Sequence, residues 1–154
     1  MLRISLAVIH LLALGIGLGA VFARARSANR IGQSPHALQR TFFADNFWGV
    51  AAILWIVTGL WRVFAGTEKT SSYYWHNQIF LAKMGMLVVV LALEVWPMVT
   101  LIKWRAAAGR GQLPPDIELG EKGRLIARIS DVQTLLIVAI VTAAVLMARG
   151  YGSR

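Results

Sequence analysis

The chain contains no cysteine. That absence removes disulfides, iron–sulfur clusters and thiolate catalysis together, and with them any reading of redox compartment from thiol content. Acidic residues are scarce as well: seven Asp and Glu stand against sixteen Lys and Arg, a formal net charge of +9. No phosphate-binding loop, nucleotide fingerprint or internal repeat occurs along the sequence. What is abundant is apolar surface, with 57% of residues hydrophobic.

These apolar residues gather in four blocks, Ile4–Ala23, Phe47–Phe64, Ile79–Ile102 and Ile126–Ala148. Each is near or above the roughly 18 residues that a helix needs to cross a hydrocarbon core. The expectation is an all-α integral membrane protein, a four-helix transmembrane bundle forming one domain over residues 1–154. Its chemistry must then be built between the helices or at their ends. The first block resembles a signal peptide only loosely. One arginine precedes it and Arg24, Arg26, Arg30 and Arg40 follow, which is the wrong charge balance for cleavage and predicts a retained span.

Most positive charge lies in two connections, Arg24–Arg40 and the segment holding Lys103, Arg105, Arg110, Lys122, Arg124 and Arg128. The positive-inside rule puts both in the cytoplasm and both termini outside. Gly66–Tyr74 then lies outside too, with Trp61, Tyr73, Tyr74 and Trp75 as an interfacial aromatic belt. Basic loops on a membrane face account for the net charge without nucleic acid, and anionic lipid is the counterpart they imply. The third connection, with Gly109, Gly111, Pro114, Pro115, Gly120 and Gly123, reads as a polar loop with room for a short interfacial helix. Gly15, Gly17 and Gly19 give helix one a small-residue spacing suited to close packing.

Lys83 and Glu94 fall inside the third apolar block. An ionisable side chain at that depth costs roughly 2.5–3.5 kcal/mol on insertion scales and persists where it finds a partner, an interior face or a pathway. At 1.5 Å per residue, His10 and Lys83 share a level in the outer half, about 9–10 Å deep. Glu94 lies about 16 Å further in, at the level of Asp45 and Asp131. The bundle therefore acquires an outer cluster bearing His10, Lys83 and His76, and an inner cluster of Asp45, Glu94 and Asp131. His10 is either a core histidine bonded to a neighbour or a ligand for haem iron. Glu94 and Asp131 either pair with Arg24, Lys103 or Arg128 or relay protons, and His76 and His36 also read as solvated residues.

The segment Ala7-Val8-Ile9-His10-Leu11-Leu12-Ala13-Leu14-Gly15, the opening Trp75-His76-Asn77-Gln78-Ile79-Phe80-Leu81-Ala82-Lys83 and the stretch Ser130-Asp131-Val132-Gln133 resemble the HemJ type of protoporphyrinogen oxidase. That family consists of small bacterial four-helix membrane proteins. Glu94 stands where those proteins tend to carry a second histidine, and the whole pattern looks closer to a related uncharacterised family of predicted bacterial membrane proteins. The resemblance implies a bacterial inner-membrane location with both termini periplasmic. It also implies oxidation of a porphyrinogen or binding of porphyrin or haem b, with His10 and Lys83 in the catalytic site. In that reading His10 ligates the metal, Lys83 neutralises a propionate, and Trp48 and Trp55, with Phe47, pack the macrocycle. A second ligand would come from His76 or from one of Met84, Met86 and Met98, or the iron would have no second protein ligand. Two other classes compete: a non-enzymatic accessory or scaffold subunit of a larger membrane complex, and a small transporter that would need homo-oligomerisation to widen its path.

Overall fold

A computed structural model describes residues 1–64 and 78–151, apart from the side chains of Leu2, Arg3, Arg62, Val63 and Phe64. The Gly66–Tyr74 connection, Tyr73, Tyr74, Trp75 and His76 lie outside the described residues. Four helices form the structure: α1 (Leu2–Ala28), α2 (Ala37–Phe64), α3 (Gln78–Gly109) and α4 (Asp116–Ala148). Each is long and apolar enough to cross a membrane, and the all-α transmembrane architecture read from the sequence holds.

The helices are longer than the apolar blocks suggest, running 27, 28, 32 and 33 residues. Only residues 29–36 separate α1 from α2, and only residues 110–115 separate α3 from α4. The expected polar loop of the third connection is thus mostly helix. Its glycines misled because they serve two different purposes. Gly111 takes φ +66° in the turn and Gly32 takes φ +83° in the first connection, a backbone region open to glycine. Gly120 and Gly123 lie buried inside α4, where a Cβ on Gly123 would sit 2.7 Å from the Ala28 carbonyl oxygen. Those two permit close approach of the first connection to α4 and do not turn the chain.

Inward-facing residues recur in alternating steps of three and four. On α2 the row is Ala37, Thr41, Ala44, Trp48, Ala51, Trp55 and Thr58, all buried. On α4 it is Leu119, Gly123, Ile126, Ser130, Gln133, Ile137 and Ile140, again all buried. On α1 the row runs His10, Ala13, Gly17, Ala20, Arg24, Ser27, and on α3 Phe80, Lys83, Leu87, Val90, Glu94, Pro97, Leu101, Trp104, buried or half-buried throughout. A 3.5-residue repeat is the spacing of a coiled-coil seam. The polar residues of interest, His10, Arg24, Lys83, Glu94, Ser130 and Gln133, all occupy these rows. The opposite faces carry exposed aliphatics such as Ile53, Val88 and Leu135, as lipid contact requires.

Around the ring the order is α2, α1, α4, α3. The backbones of α1 and α3 occupy opposite corners with no close approach, and α2 meets α3 at few positions among the described residues. Two apolar clusters fill the interior. One comprises Ala13, Ala20, Val21, Trp48, Trp55, Val90, Ile137 and Ile140; the other, at the end bearing the short connections, comprises Ala28, Ile31, Ala37, Leu101, Trp104, Leu119, Ile126 and Ala127. Of the three helix-one glycines, Gly17 carries the contact, since a Cβ there would lie 3.3 Å from the Trp48 ring, whereas Gly15 and Gly19 face open space.

That difference predicts opposite signs for two alanine substitutions. Gly123→Ala should destabilise by about 1–3 kcal/mol, because the new methyl meets backbone that cannot swing aside. Gly19→Ala should stabilise by roughly 0.5–1 kcal/mol through reduced chain entropy. Thermal denaturation of each variant in mild detergent checks this; equal midpoints would show that the α1–α4 approach is looser than described.

Candidate functional site

Between the two apolar clusters lies a single polar layer centred on Arg24, whose side chain is 0% exposed. Its Nε donates to Ser130 Oγ at 3.0 Å. Nη1 donates to Asp45 Oδ1 at 2.8 Å and to Glu94 Oε1 at 2.7 Å. Nη2 donates to Glu94 Oε2 at 2.7 Å and to Gln133 Oε1 at 2.9 Å. A guanidinium has five N–H groups, and these five bonds match that capacity. The acceptors come from α2, α3 and α4, so one side chain on α1 ties all four helices together. It also spans the diagonal to α3 that the backbones leave open.

The rest of the layer is equally committed. Gln133 donates through Nε2 to Glu94 Oε2 at 2.8 Å and to the Val90 carbonyl at 3.1 Å. Arg105 donates to Asp45 Oδ2 at 2.7 Å and to the Phe42 carbonyl at 3.0 Å, with its guanidinium 5.2 Å from the Phe42 ring centre. All four carboxylate oxygens of Asp45 and Glu94 thus accept from a cation, and two arginines balance two carboxylates. A buried ion pair survives desolvation only with this kind of additional hydrogen bonding. One donor is left over: Arg105 Nε is buried without a partner among the described residues.

Of the inner residues singled out in the sequence, the structure brings Asp45 and Glu94 together through Arg24. Asp131 does not join them; its side chain is 51% exposed and lies 3.9 Å from Arg26. Of the outer residues, His10 Nδ1 is 2.9 Å from Thr58 Oγ1 and its ring lies 6.2 Å from that of Trp55. Lys83 Nζ is 5.7 Å from the Phe80 ring centre, one turn back on its own helix. Among the described residues His10 and Lys83 thus have different neighbours, and their helices stand at opposite corners of the ring.

The family described as "Predicted membrane protein (DUF2214)" matches residues 2–152. The chain belongs to the DUF2214 family. No curated protein and no solved structure matches it. The membership supports an uncharacterised membrane family and does not extend to the HemJ type specifically.

In this DUF2214 protein the space around Trp48 and Trp55, bounded by Ala13, Gly17, Ala51 and Ile137, has a free volume near 0 Å³. A pocket for a cofactor the size of a haem takes about 300–1,000 Å³. Trp48 and Trp55 pack on α1 and leave no room for a macrocycle between them and that helix. The sequence offers Arg24 as a partner for Glu94, and the structure pairs them; Ser130, Gln133 and Arg105 are the site residues that a hydropathy reading passes over, Arg105 because it counts as a loop charge flanking an apolar block. The signal was available in the heptad rows, where an arginine, a serine and a glutamine replace apolar residues at adjoining levels.

Removing the central cation should be costly. Arg24→Met leaves two carboxylates without their shared partner, an imbalance worth about 3–5 kcal/mol, and should depress folded yield and thermal midpoint in detergent. Arg24→Lys restores the charge but not the planar fork, and should recover only part of the loss. An Arg24→Met protein with the parental midpoint would show that the layer does not hold the bundle.

Proposed function

We propose that this protein is a non-catalytic multi-pass membrane protein, a scaffold or accessory subunit whose outer surface does its work. The single observation that carries this reading is the polar layer, in which every carboxylate oxygen is engaged by a cation. A proton relay needs a carboxylate able to exchange its partner, and a ligand site needs room. Asp45 and Glu94 offer neither in their bonded arrangement. What the layer supplies is register, since mutually satisfied buried charges fix which faces meet.

The same reading places the two arginine-rich connections in the cytoplasm of a bacterial cell, with both termini across the inner membrane, an orientation that topology reporters fused near residues 34 and 112 read directly. Work on an outer surface implies a larger membrane complex, or a homo-oligomer, as its setting. The competing reading is the haem b or porphyrin site, with His10 as ligand and Lys83 on a propionate. His10 lies half-buried in the membrane half of the bundle, as a ligand would.

An absorption spectrum of the full-length protein, purified after haem-replete expression, separates the two. The scaffold reading predicts no Soret band at stoichiometric intensity. A band near one haem per chain that His10→Ala abolishes would overturn it in favour of the haem site.

A further inference from the structure

Between α1 and α2, at the end bearing the arginine-rich connections, a groove of about 830 Å³ opens on the outside of the bundle. Its character changes along its length. Toward mid-membrane it is lined by Ile16, Ala20, Phe43 and Phe47, and toward the connection by Arg26, Arg30 and Arg40, with no carboxylate among the lining residues. From Ile16 to Arg26 is ten residues of α1, about 15 Å along the axis. That is half of a hydrocarbon core about 30 Å thick, hence one leaflet.

Among the described residues, the cations at its head have little carboxylate company. Among the described residues, Arg26's one ion-pair approach is the 3.9 Å to Asp131, with both side chains more than half exposed, and it lies 4.9 Å from the Phe22 ring centre. Arg30 and Arg40 have no carboxylate within ion-pair distance among the described residues. The apolar end is no better covered, with Ile16 52%, Phe43 66% and Phe47 48% exposed. A cluster of arginines above a one-leaflet apolar trough is complementary to a molecule with an anionic head and a hydrocarbon tail.

We propose that this groove holds one anionic phospholipid of the leaflet adjoining the connections. Its phosphate lies among Arg26, Arg30 and Arg40, and one acyl chain runs along Ile16, Ala20, Phe43 and Phe47. Arginine suits the head because its fork meets two phosphate oxygens at once. The proposal stands independently of whether the interior binds a porphyrin, because its arginines, Ile16, Ala20 and Phe43 belong neither to the polar layer nor to the His10 surroundings, and Phe47, the one residue also offered for a macrocycle, lines the outer groove.

Native mass spectrometry of the full-length protein, released from detergent containing phosphatidylglycerol or phosphatidylcholine, tests it. The parent chain should retain one phosphatidylglycerol in preference to phosphatidylcholine. The triple variant Arg26→Gln, Arg30→Gln, Arg40→Gln should lose that retention by roughly tenfold or more, given the strength of each basic contact to anionic lipid. A charge-matched control, Arg110→Gln, Arg124→Gln, Arg128→Gln, should retain it. Ala23→Trp, which fills the trough without altering charge, should also reduce retention. Equal loss in groove and control variants would overturn the proposal in favour of diffuse attraction. Displacement by millimolar inorganic phosphate would reduce the site to a phosphate site, and a dimer that disappears only in the groove variants would assign the surface to a second copy of the chain.

Discussion

The Arg24 guanidinium is the interaction on which the remainder of the structure depends. Without it, Asp45 and Glu94 would face each other across the bundle interior with one cation, Arg105, on the rim side alone. With it, four helices whose backbones form an incomplete ring acquire a common centre, and the weakly packed α2–α3 side is held through bonds to Asp45 from both arginines. In lipid there is no strong hydrophobic drive between apolar helices, so close packing and interhelical hydrogen bonds must supply specificity. The small residues of the α1 row, Ala13, Gly17 and Ala20, supply the first, and the Arg24 layer supplies the second. They act on the same face of the same helix, which explains why α1 is the hub for both α2 and α4.

The spans were legible because four apolar blocks of sufficient length leave little freedom of interpretation. Their ends were not, since hydropathy registers where lipid contact stops and not where a helix stops. Helices α3 and α4 continue for a turn or more beyond the apolar run, and their extensions contribute Trp104 and Leu119 to the second core cluster. The depth argument likewise supplies one coordinate and leaves another open. Equal depth put Asp45 and Glu94 on one level, and Arg24 joins them there. Equal depth also put His10 and Lys83 on one level, on α1 and α3, the same diagonal that Arg24 and Glu94 span further in. Depth comes from counting residues along one helix; azimuth comes from which rows face each other, and only the three-four spacing contains that. The HemJ-type resemblance rested on short segments around His10, Lys83 and Ser130, whereas the family relationship that covers the chain is DUF2214.

The polar layer and the outer surface also divide the labour of charge. Arg24 and Arg105 are neutralised inside, leaving Arg26, Arg30 and Arg40 on the outside with little but solvent and Asp131 around them. Arg24 and Arg26 are two residues apart, and on a helix that separation points them to different faces. One faces the core and the other faces outward, so neighbouring arginines differ in role: the first fixes the bundle, the second presents charge at its edge.

A double-mutant cycle between Arg24 and Glu94, read as unfolding free energy in detergent, tests the central claim most directly. Interacting pairs in one network give coupling of about 0.5–3 kcal/mol, and distant sites add. The account predicts that Arg24→Met with Glu94→Met is less destabilised than the sum of the single variants, with coupling at or above the upper end of that range. Simple additivity would contradict it, because it would mean that the two groups, 2.7 Å apart in two places, contribute independently to holding the bundle.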